Sequence, residues 1–109
     1  MTIACEEING PVMCILKYRT LDEAIERAND NKYGLAAGVL TRNLENAIKV
    51  ASNIRAGTVW VNCYAVHDPN CAFGGFKDSG LGRMRGVDHI YHYCESKTIV
   101  IKTAEGTLP

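Results

Sequence analysis

The residues with the makings of chemistry fall into five candidate sets along the 109-residue chain. Gly80-Leu-Gly82-Arg-Met-Arg-Gly86 looks like a dinucleotide fingerprint, but its third glycine comes one position late and no strand precedes the first. Gly75 and Gly80 have the spacing of a phosphate-binding P-loop, yet Leu81 stands where the phosphate-gripping lysine is required, so that motif fails. His67, Cys71, His89, His92 and Cys94 offer imidazole and thiolate, the right donors for zinc, in a spacing that matches no standard ligand set. A cysteine nucleophile with a histidine base is conceivable from composition, but none of the five cysteines carries a local signature of an activated thiol. Glu6-Glu7, ahead of Ile8-Asn9-Gly10-Pro11, reads as a solvated turn. A carboxylate beside such a turn could equally hold ribose hydroxyls by charge-assisted hydrogen bonds, and spacing leaves both readings open.

These groups need a scaffold, and hydrophobic periodicity supplies one. Val12 to Tyr18 is a nearly continuous apolar run and reads as a strand buried on both faces. Thr20 stands three residues before Glu23 in a capping-box arrangement, with Leu21, Ala24, Ile25 and Ala28 at helical spacing, which predicts a helix ending near Asn29. Ala36 to Thr41 forms a second short apolar run. Leu44, Ala47, Ile48, Ala51 and Ile54 then mark a second helix, with Gly57 expected to stop it as a C′ glycine. Thr58 to Asn62 (TVWVN) is β-branched and aromatic, hence a third strand. Strand, helix, strand, helix, strand predicts an α/β fold with a parallel βαβαβ sheet. From Cys63 to Gly86 the periodicity lapses into a glycine-rich loop of a length that usually carries function. A weak helix is expected over Val87 to Tyr93. Lys97 to Lys102 (KTIVIK) alternates like a strand with one buried face but no obvious partner, and Thr103 to Pro109 reads as a frayed tail.

Composition narrows the function classes. Lys plus Arg number 12 and Asp plus Glu number 12, so the formal net charge is zero, and a nucleic-acid surface, which needs a basic excess, is not expected. The chain is 47% apolar with a mean hydropathy of -0.08, too apolar for disorder, and its longest apolar runs, such as Val12 to Leu16, are far shorter than the roughly 20 residues of a membrane span. MTIACEEING has neither the basic nor the apolar region of a secretory signal, so a cytoplasmic site is expected. Five cysteines without a C-x-x-C pair then read as free thiols, most of them small apolar packers.

Several segments together, EEINGPV, NKYGLAAGVLT, AGTVWVNCY, and AFGGFKDSGLGR followed by ESKTIVIKT, closely resemble the C-terminal part of NAD(P)-dependent aldehyde dehydrogenases. The cytosolic, retinal-dehydrogenase-like class is the nearest match. The similarity runs from Met1 to about Lys102. It implies that residues 1–96 are the C-terminal part of a catalytic domain with its glycine-rich loop, and that residues 97–109 are an oligomerisation strand and tail, which would explain a strand without a partner.

The resemblance also implies roles. Glu7 matches the glutamate that binds the nicotinamide ribose of NAD or NADP, whereas Asn9 stands where the family has a phenylalanine packed on the nicotinamide. Phe73 matches an aromatic lining the aldehyde pocket, and His67 stands where an aromatic or apolar pocket residue is common. Arg83 and Glu95 match members of an ion-pair network at the subunit interface, with Met84 replacing the acidic residue expected after Arg83. The family nucleophile, the oxyanion-holding asparagine, the glutamate base and the Rossmann-like domain all correspond to sequence ahead of this chain, and no residue here matches a catalytic or metal-binding one. The expectation is therefore an aldehyde dehydrogenase family fragment, inactive by itself and with weak or no cofactor binding. The alternative is a non-catalytic module that docks onto full-length subunits. Homo-oligomers or mixed assemblies would be its partners.

Overall fold

Thr20 opens the first helix as the sequence requires: its Oγ1 accepts from the Glu23 N–H at 3.2 Å, while the Glu23 carboxylate accepts from the Arg19 N–H at 2.8 Å. In the computed structural model, which describes residues 2–102, this helix is α1 (Leu21–Asn29). Its Leu21, Ala24 and Ile25 are half-buried. A two-residue strand, β1 (Tyr33–Gly34), and β2 (Ala36–Val39) follow, then α2 (Leu44–Asn53) and β3 (Thr58–Val61). Asn43 caps α2 by accepting from the Asn46 N–H at 3.0 Å. β2 and β3 pair in parallel, Ala36 opposite Thr58 through Val39 opposite Val61, with α2 as the crossover. The predicted α/β class with a parallel sheet is thus present, and both helices lie where their periodicity put them.

The core is small. Ala47, Val50 and Trp60 are its buried apolar residues among those described. All five cysteines are exposed, contrary to their reading as packers, because so thin a layer has no interior to hold them. A single side chain ties the two helices together at their C-terminal ends. Asn29 Nδ2 donates to the Asn53 carbonyl at 2.8 Å and Asn29 Oδ1 accepts from the Arg55 N–H at 2.7 Å. Lys49 and Asp22 pair across the two helices.

Three expectations are corrected. Residues 12–18 form no ladder and are exposed, Met13 and Ile15 each at 78%. Apolar content gives a strand only where a second strand takes its N–H and C=O groups, and none of the described residues does so. Residues 97–102 pair with none of the described residues, as expected of a strand without a partner, but the face expected to be buried is exposed. Gly57 does not end α2: the helix stops at Asn53, with Ile54 already extended at φ -75° and ψ 129°. Glycine is needed at position 57 for a different reason, since a Cβ there would collide with the Gly74 carbonyl. The weak helix over Val87–Tyr93 is present as 3₁₀ turns. The frayed tail, like Met1, lies outside the described residues.

Candidate functional site

The glycine-rich segment is less irregular than its sequence suggests. Phe73 and Met84 exchange two backbone hydrogen bonds, each 2.7 Å, which close residues 74–83 into one loop. Inside it, β4 (Phe76–Lys77) pairs antiparallel with β1, Tyr33 opposite Lys77 and Gly34 opposite Phe76. Lys77 Nζ donates to the carbonyls of Asn29 at 2.9 Å and Asn31 at 2.8 Å, so the loop is fastened to the end of α1. Ser79 Oγ accepts from the Gly34 N–H at 2.9 Å. Loop, β1 and the start of β3 are therefore packed together, with Gly34 and Gly57 as the close-approach points.

His67 and Phe73, the predicted substrate-pocket pair, are brought together. Their rings meet edge to face at 5.4 Å, and Trp60 packs edge-on against His67 at 5.6 Å and Tyr64 at 5.1 Å. Trp60 is held by its indole N–H, which donates to the Val66 carbonyl at 2.9 Å. The tight return of the chain that this bond requires places Ala65 in the left-handed region at φ 55°, a costly conformation for a residue with a Cβ. Local strain is thus spent on presenting the aromatic group.

Glu7 lines a different cavity, of about 520 Å³, together with Asn31, Tyr33, Asp78 and Ser79. Its carboxylate accepts no hydrogen bond from the described residues, so both oxygens are available to hydroxyl donors. Asn9, at φ 47°, is exposed near this turn and offers no ring to a cofactor. Arg83 turns into its own loop, with Nη1 donating to the carbonyls of Gly75 at 3.0 Å and Gly82 at 2.6 Å and the guanidinium lying 5.1 Å over Phe76. Glu95 is exposed, and no ion pair joins it to Arg83 among the described residues. His89 and His92 approach within 5.8 Å, and His89 Nδ1 lies 3.1 Å from the Arg83 carbonyl. Among the described residues no three His, Cys, Asp or Glu side chains gather closely enough to share a metal ion.

The aldehyde dehydrogenase family profile matches residues 1–99, which is most of the sequence. The chain belongs to the aldehyde dehydrogenase family. It is 53% identical over 105 residues to "Aldehyde dehydrogenase, cytosolic 1" of Rattus norvegicus and 54% identical over 105 residues to "Aldehyde dehydrogenase 1A1" of Mesocricetus auratus. Each alignment covers 96% of this chain and 21% of the relative, so the chain spans about a fifth of the relatives' length. Among solved structures, an indole-3-acetaldehyde dehydrogenase of P. syringae in complex with NAD+ superposes with a TM-score of 0.86 at 50% identity, over 94% of this chain and 21% of that one. The NAD+ complex of an aldehyde dehydrogenase from Bacillus cereus superposes with a TM-score of 0.83 at 47% identity, over 87% and 19%. NAD is thus a cofactor of the family. No helix among the described residues is long and apolar enough to cross a membrane.

Trp60 and Ser79 escaped the reading of candidate site residues. As the only tryptophan, in a β-branched strand, Trp60 carried a signal for a buried anchor. Ser79 carried none, because its role depends on a partner 45 residues away.

Proposed function

We infer that this chain supplies the C-terminal part of an aldehyde dehydrogenase catalytic unit, cytoplasmic and oligomeric, whose reaction oxidises an aldehyde to a carboxylate. The observation that carries this reading is the family match over residues 1–99, combined with close superposition on NAD+ complexes. Glu7 takes the ribose hydroxyls of the nicotinamide half, for which its unpaired carboxylate is suited. The bound NAD(P)+ supplies the hydride acceptor. Asn9 gives the nicotinamide no aromatic wall. His67 and Phe73 line the aldehyde pocket, held by Trp60, and Arg83 and Glu95 face a neighbouring subunit. Residues 97–102 supply an oligomerisation strand, followed by a tail, and residues 1–96 the C-terminal part of the catalytic domain.

No residue of this chain is assigned as nucleophile or base, so the purified chain is expected to show no NAD(P)-linked aldehyde oxidation. A spectrophotometric assay with short and long aldehydes tests this. Turnover that survives removal of contaminating enzyme and is lost in Cys63→Ala would overturn it. Cofactor binding should also be weak, because a dissociation constant of about 1 μM corresponds to about 8 kcal/mol, beyond what one carboxylate supplies. Calorimetric titration with NAD+ reads it directly.

A second reading, a non-catalytic module that docks onto full-length subunits, is favoured by the unpaired apolar segments at residues 12–18 and 98–101. An apolar segment with a free backbone edge is suited to adding itself to another sheet. Co-expression with a full-length family member followed by pull-down decides it, since mixed oligomers are expected and their absence removes this reading.

A further inference from the structure

A cavity of about 390 Å³ lies against the glycine-rich loop, next to the one that Glu7 lines and sharing Leu35 and Ser79 with it, and no carboxylate is among its own lining residues. One wall is the run Gly80 to Arg83, and His89 and His92 from the 3₁₀ turns contribute another. The backbone N–H groups of Gly80, Leu81, Gly82 and Arg83 donate to no acceptor among the described residues. Gly80 and Gly82 have φ values of +146° and +71°, so these four successive amides follow a turn that only glycine adopts without strain. Successive amides in such turns form concave anion sites.

The side chains add to the same sign. Arg83 commits Nη1 to two carbonyls, which fixes the guanidinium beside the turn while Nη2 and Nε make no hydrogen bond among the described residues. His89, half-buried, meets the Arg83 carbonyl through Nδ1, so the neutral ring carries its proton there and its Nε2 is open. His92 makes no side-chain hydrogen bond among the described residues, and its Cε1 stands 3.9 Å from where a Cβ on Gly82 would be. Charged or titratable groups around the cavity include Arg83, Tyr93, whose ring is 5.0 Å from His89, Asp88 at the start of the 3₁₀ turns, Arg85, which lies 5.9 Å over the Phe73 ring, and Asp78 and Glu7 in the adjoining cavity.

We propose that the cavity between residues 80–83 and the His89/His92 pair binds a tetrahedral oxyanion, the phosphate group of a small molecule or free phosphate. The amides and Arg83 hold it at any pH, and imidazole protonation adds up to two further charge-assisted donors. Binding therefore tightens when the imidazoles gain protons.

Sulfate is the first probe, because its own charge does not change in that range. The full chain is titrated with it at about one pH unit below and above the ordinary imidazole value of roughly 6.5, and followed by amide and imidazole NMR signals. Saturable shifts are expected at Gly80, Leu81, Gly82 and Arg83 and at both imidazoles. Affinity should be about tenfold higher on the acidic side, the worth of one charge-assisted hydrogen bond. The double variant His89→Gln, His92→Gln should lose that pH dependence while the β2 and β3 amide signals stay in place. If those signals move, His92→Gln alone replaces it, with a partial loss of the dependence expected. Gly82→Ala, which strains the turn, should weaken binding at both pH values. Inorganic phosphate and glycerol phosphate then separate the two sources of the anion: equal affinity identifies the free ion as ligand, and tighter glycerol phosphate an organic monoester. Absence of saturable shifts at the four amides, or a pH dependence untouched by the histidine variants, overturns the proposal.

Discussion

Replacing Trp60 by phenylalanine tests how far the aromatic group around His67 depends on one anchor. Trp60 is 9% exposed, its indole N–H donates to the Val66 carbonyl at 2.9 Å, and its ring stands 5.6 Å from that of His67. Phenylalanine removes that hydrogen bond, whose net worth is about 0.5–1.5 kcal/mol. Val66 is exposed, so water satisfies the freed carbonyl and the lower half of that range applies. Loss of the five-membered ring gives up roughly 40 Å² of apolar burial, about 1 kcal/mol by area. The displaced contact with His67 gives up a part of the roughly 0.5–1.5 kcal/mol of an aromatic pair. Trp60→Phe should therefore destabilise the chain by about 2 kcal/mol, a large share of what so small a core can provide. Urea unfolding followed by far-UV circular dichroism measures it, since the variant has no tryptophan to report. A double-mutant cycle with His67→Ala isolates the ring contact. A loss below about 0.5 kcal/mol, the level of an ordinary surface substitution, would refute the view that Trp60 holds this region together.

The Arg19 N–H holds the Glu23 carboxyl below the usual carboxylate range against the opposing effect of desolvation, and the Arg27 guanidinium adds a lesser lowering. A depressed folded-state pKa gives stability that is present above the unfolded value and lost as pH falls through the folded one. Acid titration of α1 helicity should therefore show a transition below the ordinary carboxylate range that Glu23→Gln removes, and an identical acid limb in both proteins would count against the cap. Gly57→Ala should drive the Gly74 carbonyl away from the start of β3 and cost about 1–3 kcal/mol or more, as overpacking does. Faster hydrogen exchange at the Phe73 and Met84 amides is the expected sign, and unchanged exchange there would mean that the loop is not wedged against β3.

What the sequence made legible was local. Thr20 and Glu23 announced α1, the spacing of Leu44 to Ile54 announced α2, and the β-branched run around Trp60 announced β3, because capping and periodicity are encoded within a few residues. Residues 12–18 have the apolar content of a buried strand and residues 97–102 the alternation of a half-buried one, but apolar pattern records which face seeks cover, whereas a ladder exists only with a partner, and neither has one among the described residues. Gly57 sent an ambiguous signal, since a glycine after a helix serves equally as a left-handed cap or as a gap for another backbone, and the Gly74 carbonyl that decides between them lies far along the chain. At the site, the resemblance puts His67 and Phe73 at positions of one pocket, and their rings meet at 5.4 Å, while the inward turn of Arg83 onto its own loop left no mark in the sequence. The resemblance marks Arg83 as a contact for other chains, and within this chain its Nη1 also donates to the carbonyls of Gly75 and Gly82.

The junction at Asn29 has a consequence for the order in which this chain assembles. Its side chain joins partners 24 and 26 residues away, whereas Lys77 reaches its carbonyl across 48 residues. The carbonyls that receive Lys77 are presented together only after α1 has terminated and the chain has turned at Asn31. Closing the longer loop first would cost more chain entropy and find no acceptors arranged for it. The glycine-rich loop is accordingly a late arrival in folding, docking on helices already joined. In pulsed hydrogen exchange during refolding, the Ala47 and Val50 amides of α2 should gain protection before those of Phe73 and Met84.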